Sequence, residues 1–190
     1  MRAFIAADIP SAVKEEIGKL QKELMREVRS SVKWVEAANI HITLRFLGEV
    51  PEEKIEQLCQ ILPKGGREVT PFKISIKGLG AFPNLSRPRV IWVGMESQGN
   101  QIEQLYSQIE TLVRDLGFTP EKRAFSPHLT IGRIKQLRDQ NEWVNAIGKR
   151  QELFFGEAAV GCFYLFQSIL KPQGPEYKKL KKFDLPGGEG

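Results

Sequence analysis

The sequence predicts an α+β fold of two similar lobes, each an antiparallel-rich sheet with helices on its outer face, related by a pseudo-twofold around a central groove. Two observations lead to this prediction. The order strand, helix, strand, helix, strand runs through the 190 residues twice, and matching positions recur at an offset of 87 residues. Arg2 stands 39 residues before His41, and Arg89 stands 39 residues before His128. We therefore predict one domain, residues 1–190, built by duplication.

The first half alternates between strand and helix periods. Its predicted elements are a buried strand Arg2–Ala6, a helix with Val13, Ile17, Leu20, Leu24 and Val28 on one face, a segment Val32–Val35, an alternating strand Asn39–Leu47, a helix bearing Ile55, Leu58, Cys59 and Leu62, and an alternating strand Phe72–Lys77. Pro63 ends the second helix because proline cannot continue the helical hydrogen bonds.

The second half repeats this order. Its predicted elements are a strand Arg89–Val93, a helix bearing Ile102, Leu105, Ile109, Leu112, Val113 and Leu116 and capped by Gly117, a strand His128–Ile134, a short helix around Trp143–Ile147 and an apolar strand Ala158–Phe166. The offset of 87 also aligns the strand that starts at Phe72 with one that starts at Ala159. The run Lys178–Lys182 is interpreted as a basic loop.

Composition sets broad limits on function. With 28 basic and 23 acidic residues, the net charge is +5 and the isoelectric point about 9.2, a modest excess that favours anionic partners without identifying one. The apolar opening Ala3–Ala7 is interrupted by Asp8 and Pro10, so it is too short for a signal core or a membrane span. We expect a cytoplasmic protein without membrane association.

Metal and cofactor chemistry finds no support in the sequence. Cys59 and Cys162 lie far apart in apolar surroundings, as free thiols do. A zinc site needs Cys, His or carboxylate ligands at short spacing, and no such cluster occurs. We predict no metal and no cofactor.

The chain contains two histidines, and each opens the same tetrapeptide: His41-Ile42-Thr43-Leu44 and His128-Leu129-Thr130-Ile131. The chain has five threonines, so finding one two residues after both histidines is roughly a one-in-a-thousand coincidence. Residues i and i+2 of a strand share a face. Each histidine should therefore emerge beside its threonine, while the apolar residues of the motif enter the core.

Two imidazoles in one cleft are the minimum needed for paired proton transfer on a phosphodiester. An unperturbed pKa near 6.5 allows one ring to be a neutral base and the other a charged acid. Thr43 and Thr130 could donate hydroxyl hydrogen bonds to the phosphate oxygens. A structural role is the alternative for either histidine alone, but the repetition favours catalysis by His41 and His128.

Arg45 and Arg133 are the candidate cations for the phosphate. Strand alternation places Arg45 on the face of His41 and Thr43, and Phe46 on the apolar face. Arg133 follows Gly132, where a bulge would turn the arginine inward. For both arginines, a solvated surface position is the alternative.

At these residues the chain resembles the 2H phosphoesterase superfamily, and within it the RNA 2′,3′-cyclic phosphodiesterases once called 2′-5′ RNA ligases. The resemblance covers nearly the whole chain. Its blocks, in the family's order, are Arg2–Ala6, His41–Glu49, Arg89–Trp92, Phe125–Arg133 and Ser168–Tyr177. One difference is Gly132, where the family often carries alanine before the arginine.

The resemblance implies hydrolysis of an RNA-terminal 2′,3′-cyclic phosphate to a 2′-phosphomonoester, without a metal. It assigns His41 as proton donor and His128 as proton acceptor, with Thr43, Thr130 and Arg133 holding the phosphate. The implied partners are RNAs with 2′,3′-cyclic phosphate ends, tRNA fragments among them, and a monomer is expected. Reversible 2′-5′ ligation stays open, as does the natural RNA.

Two alternatives remain at this stage. The groove could belong to a non-catalytic protein that binds nucleotides or RNA ends, or to a 2H enzyme acting on 2′-5′-linked oligonucleotides or an ADP-ribose cyclic phosphate. Several basic residues could follow an RNA backbone or could simply be solvated surface: Lys33, Arg87, Arg89, Arg123 and the run Lys178–Lys182.

Overall fold

Nine strands and four α-helices make up the computed structural model, which describes residues 1–172 and 174–187. The strands are β1 (Arg2–Ala7), β2 (Ser31–Trp34), β3 (Ile42–Glu49), β4 (Phe72–Phe82), β5 (Val90–Ser97), β6 (Leu129–Gln136), β7 (Phe154–Val160), β8 (Cys162–Lys171) and β9 (Gly174–Asp184). The helices are α1 (Ser11–Glu27), α2 (Glu52–Ile61), α3 (Gln101–Asp115) and α4 (Gln140–Gly148).

The strands form two antiparallel sheets, ordered β3-β1-β8-β9 and β2-β6-β5-β4-β7. Under the offset of 87 residues, β3, β1 and β8 correspond to β6, β5 and β4, and they lie in the same order. Strands cross between the halves, because β2 and β4 join the sheet of β5 and β6, while β8 and β9 join that of β1 and β3. The predicted α+β duplication is confirmed, but a lobe of the structure is not a half of the sequence.

The helices cover the sheets in equivalent pairs. Helices α1 and α4 contact each other and strands of the five-stranded sheet, and α3 contacts β3 of the other sheet. Lys54 in α2 donates to the carbonyl of Leu116 just beyond α3, which joins these two helices. In α1 the residues spaced three and four apart are buried, as an amphipathic helix requires: Val13, Ile17, Leu20 and Leu24. No helix in the described ranges is long and apolar enough to span a bilayer.

Two element predictions near the end of the chain are wrong. The apolar run Ala158–Phe166 is two strands in different sheets, β7 and β8, separated at Gly161. A continuous apolar run has no change of period to show this break. The segment Lys178–Lys182 lies in β9 rather than in a loop. Because β9 is an edge strand, its lysines can remain exposed, where they also discourage pairing with another chain.

Candidate active site

Each His-x-Thr motif begins immediately before a strand, His41 before β3 and His128 before β6. The two strands have the same burial pattern along all eight residues. Ile42 and Leu129 are fully buried, whereas the threonine that follows each of them is half-buried. The predicted alternation within the motifs is therefore confirmed, because apolar residues enter the core and the threonines do not.

The two imidazoles are held by matching hydrogen bonds. Nδ1 of His41 lies 2.7 Å from the carbonyl oxygen of Asn39, and Nδ1 of His128 lies 2.7 Å from that of Ser126. A carbonyl only accepts, so this bond assigns the hydrogen to Nδ1 in each ring. Nε2 is then the nitrogen left for proton transfer. Both copies of the motif thus present the same nitrogen of the ring.

A β-bulge occurs at the same point of both strands. Opposite β1, the register passes from Arg45 to Thr43 and leaves Leu44 as the extra residue. Opposite β5, it passes from Gly132 to Thr130 and leaves Ile131 as the extra residue. Leu44 and Ile131 are equivalent at the offset of 87. A bulge adds one residue and so shifts the alternation of side chains beyond it. In both strands, the next residue on the face of the histidine therefore comes one position later than strict alternation predicts.

In the second copy, the residue after the bulge on the groove side is Arg133. It lines one cavity together with His128 and Thr130, as the inward turn predicted. Gly132, the residue before Arg133, packs closely against β2. A Cβ on this glycine would lie 2.9 Å from a Val32 side-chain carbon, so β2 occupies the space that an alanine would need.

In the first copy, the same bulge makes the predicted core position of Phe46 wrong and changes the setting of Arg45, whose role in phosphate binding stays a prediction. Arg45 is only 8% exposed, and its Nε lies 2.6 Å from Glu110 Oε2, close but not aligned as a hydrogen bond. Its Nη2 donates to the carbonyl of Thr119. Phe46, expected in the core, is 57% exposed. The bulge at Leu44 therefore sends the arginine to the protein side and the phenylalanine to the histidine side.

The motifs meet at a cavity of about 750 Å³, here called the motif cavity. Thr43 reaches it from the first motif, and His128 and Thr130 reach it from the second. Its wall also contains arginines and aromatic rings: Arg45, Arg89, Arg123, Arg133, Phe46, Phe82, Tyr106 and Phe125. Tyr106 and Phe125 stack at 4.1 Å between ring centroids. No local pattern singles out these aromatic residues, because they come from a helix, a strand end and a loop that are far apart in the chain.

His41 does not line the motif cavity itself and instead packs among aromatic rings. Its ring stacks on Phe4 at 4.8 Å and meets the edge of Tyr177 at 5.3 Å. The Asn39 side chain donates to the carbonyl of Pro175 at 2.8 Å, which ties the turn before His41 to β9. Burial lowers the pKa of His41 to about 4, and the hydrogen bond to Asn39 only partly opposes this.

His128 lies in a more open and more positive place. Its ring meets Phe82 edge-on at 4.9 Å and lies 6.5 Å from the ring of Trp92. Burial also lowers the pKa of His128, and the positive charge of Arg133 acts in the same direction. Both imidazoles therefore favour the neutral form at neutral pH.

No three His, Cys, Asp or Glu side chains gather as a possible metal site within residues 1–172 and 174–187. Cys59 and Cys162 are free thiols and are half-buried. The phosphate-binding candidates that the fold does bring together are hydroxyl, imidazole and guanidinium groups. These groups are suited to an anion. The prediction that catalysis needs no metal stays a prediction.

The protein therefore has two similar lobes whose His-x-Thr strands meet beside the motif cavity. The family model described as LigT-like phosphoesterase matches residues 7–92 and again residues 93–177. The chain belongs to the LigT-like phosphoesterase family. This confirms the resemblance to the 2H phosphoesterases, and the double match agrees with the duplication in the fold.

Known relatives are similar over nearly their whole length. The RNA 2′,3′-cyclic phosphodiesterase of Archaeoglobus fulgidus is 43% identical over 186 residues, covering 97% of this chain and 100% of the relative. The protein of the same name from Methanocaldococcus jannaschii is 38% identical, covering 96% and 100%. The crystal structure of E. coli LigT complexed with 3′-AMP has a TM-score of 0.76 at 25% identity, covering 97% of this chain and 98% of LigT.

Proposed function

We propose that this chain hydrolyses the 2′,3′-cyclic phosphate at the end of an RNA to a 2′-phosphomonoester, without a metal ion. The reaction would take place in one two-lobed domain that spans residues 1–190. The names of its relatives support this activity. The observation that carries it is the matched pair of Nδ1 hydrogen bonds at 2.7 Å, since it prepares Nε2 of both histidines for proton transfer.

His128 accepts a proton from water as the water oxygen attacks phosphorus. His41 donates a proton to the 3′-oxygen as the bond from phosphorus to that oxygen breaks, so the phosphate stays on the 2′-oxygen. Thr43 and Thr130 donate hydrogen bonds to the non-bridging oxygens, and Arg133 balances their growing negative charge. The assignment of donor and acceptor rests on the family resemblance.

The donor role requires a change of pKa on binding. Burial lowers the pKa of His41 to about 4, so this ring by itself is neutral at neutral pH. A bound phosphate places an anion close to the imidazole, which raises the pKa and allows the ring to carry the proton it donates. His128 needs no such change, because a lowered pKa leaves it neutral and able to accept.

RNA is the substrate class that this proposal names, with tRNA fragments among the candidates, acted on by a cytoplasmic monomer. The net charge of +5 and the arginines in the wall of the motif cavity suit an anionic polymer. The reverse reaction, 2′-5′ ligation, would use the same groups in the opposite direction.

The direct test supplies the purified protein with a nucleoside 2′,3′-cyclic phosphate in excess chelator and identifies the product. We expect undiminished turnover and a 2′-phosphate. Loss of turnover on chelation with recovery on adding one divalent ion would contradict the metal-independent mechanism. Tight binding without any product would favour the alternative of a non-catalytic binding protein.

A further inference from the structure

A second cavity of about 800 Å³ adjoins the motif cavity, and we call it the side cavity. It is bounded by the end of β3, the start of α2 and the loop between α3 and β6. Lys54, Phe118 and Lys122 line this cavity but not the motif cavity. The two cavities share Arg45, Phe46, Glu121 and Arg123 as wall residues. Because they share these wall residues, the two cavities adjoin, and each alone has the volume of a small-ligand site.

Arg45 fixes the loop that separates the two cavities. Its guanidinium pairs with Glu110 in α3, lies 3.7 Å from Glu121 and donates to the Thr119 carbonyl. The main-chain nitrogen of Glu121 donates to Glu110 Oε1 at 3.0 Å, which closes this network. The loop is thereby held at Thr119 and Glu121 by contacts with Arg45 of β3 and Glu110 of α3.

The charges of this loop leave a positive surface. Glu121 is engaged by Arg45, and its Oε1 also accepts from the main-chain nitrogens of Lys122 and Arg123 at 3.0 and 3.3 Å. In the described part of the chain, no ion pair joins the Lys122 or Arg123 side chain to a carboxylate. Both residues are exposed. They can therefore meet phosphates without first breaking an ion pair.

Phe46 stands in the wall shared by the two cavities. It is 57% exposed, a high value for a phenylalanine, and its ring lies 6.1 Å from Phe4. An exposed aromatic ring beside free cations is the combination on which single-stranded RNA binds, because bases stack on the ring while phosphates meet the cations. In the duplicate, Arg133 occupies the equivalent position, so the ring is particular to the first lobe.

We propose that the side cavity binds the one or two nucleotides that precede the cyclic phosphate, with a base on Phe46 and phosphates on Lys122 and Arg123. The inference rests on the proposed function, which places the terminal nucleotide in the motif cavity. It deepens that function by naming the substrate as an RNA strand of at least two or three nucleotides. A lone nucleotide would leave the side cavity unused.

The test compares a trinucleotide with a mononucleotide, both ending in a 2′,3′-cyclic phosphate, as the ratio of their kcat/KM values. We expect the trinucleotide to be preferred in the native protein. The ratio should fall about fivefold or more in Phe46→Ala, the loss expected for one stacked base, and should also fall in Lys122→Ala. Matched controls are Phe154→Ala, whose ring is 58% exposed, and Lys22→Ala on α1, since neither residue lines the motif cavity or the side cavity.

A ratio near one in the native protein, or a ratio unchanged by both test variants, would overturn the inference while leaving hydrolysis intact. If neither substrate is turned over, the proposed function fails, and binding decides the inference alone. A fluorescent trinucleotide ending in a 2′-phosphate should then bind more weakly to Lys122→Ala than to Lys22→Ala. The slope of log affinity against log salt should also fall by about 0.7, as for one lost phosphate contact, and equal binding would contradict the site.

Discussion

The strands that carry the two His-x-Thr motifs have the same length, the same burial pattern and the same bulge, yet they present different residues after the bulge. In the first strand, Phe46 lies on the side of the histidine and Arg45 points toward Glu110. The second presents Arg133 beside His128. The duplicated strands therefore share their backbone and their histidine and threonine, and they differ in the side chain that follows the bulge.

The surroundings of the two histidines also differ between the lobes. His41 is enclosed by aromatic rings and tied to β9 through Asn39 and Pro175, whereas His128 borders the motif cavity beside an arginine. Burial lowers the pKa of both imidazoles, and a nearby cation adds to the lowering in each case, Lys14 at His41 and Arg133 at His128. Because the pKa of His41 is about 4, this ring needs an anion beside it to be an acid near neutral pH.

The largest effect should come from removing either imidazole. His41→Ala and His128→Ala should each lower kcat by roughly 10²- to 10⁴-fold, the usual contribution of a positioned proton-transfer group. The double variant should lose much less than the product of the two losses, because both groups act in one event. Single-turnover kinetics and circular dichroism would check this. Near-normal turnover in either folded variant would make that histidine structural.

The next effect concerns the residue after each bulge. Arg133→Ala should lower kcat/KM for a cyclic mononucleotide by about 10- to 150-fold, as expected for a lost charge-assisted hydrogen bond. Arg133→Lys should retain part of the activity, because it keeps the charge but loses the planar fork. Phe46→Ala should lower kcat/KM for the mononucleotide by a smaller factor than Arg133→Ala does. Equal losses at the two positions would remove the asymmetry between the lobes.

The pH profile should distinguish the free from the bound site. If His41 donates a proton, kcat/KM should fall about tenfold per pH unit above the histidine pKa values of the free protein, because the protonated donor disappears. The fall in kcat should begin at a higher pH, since bound phosphate raises the pKa of the donor. Coincident profiles for kcat and kcat/KM would argue against this shift, and a flat profile between pH 5 and 9 would argue against paired proton transfer.

A smaller effect is expected from the bond that ties His41 to β9. Asn39→Ala removes the hydrogen bond to Pro175 and should lower kcat about fivefold with little change in KM, the worth of one ordinary hydrogen bond. The alkaline limb of the rate profile should move with it. Ser126 is the equivalent residue before His128, and Ser126→Ala should lower kcat by a smaller factor than Asn39→Ala does. An equal loss in both variants, or an effect on KM alone, would show that Asn39 does not act through His41.

The smallest effect should appear in stability against pH. A histidine whose pKa is about 4 when folded and near 6.5 when unfolded binds its proton more readily in the unfolded state. Its contribution therefore destabilises the fold progressively as pH falls from about 6.5 to 4. Urea unfolding at pH 7.5 and 5 should show a larger loss for the native protein than for His41→Gln. The same loss in both would contradict a buried neutral His41.

Much of this protein could be predicted from local patterns. The repeated His-x-Thr tetrapeptides, the offset of 87 residues and the helical periods predicted the duplicated α+β fold, the burial within each motif and the inward Arg133. Periodicity was enough for α1, whose buried residues follow the predicted face. It was not enough at Gly161, because an apolar run reads the same whether its two parts share a sheet or separate.

Local patterns were enough to predict most helices and strands and the paired His-x-Thr groups, because hydrophobic spacing and strand alternation act over a few residues. Strand pairing depends on contacts between distant residues, which place β2 and β4 in the sheet of β5 and β6, and β8 and β9 in that of β1 and β3. Such distant contacts also determine where the side chains of Arg45 and Phe46 lie. A bulge is defined by the register against a partner strand, and that register is fixed by contacts between residues far apart in the chain.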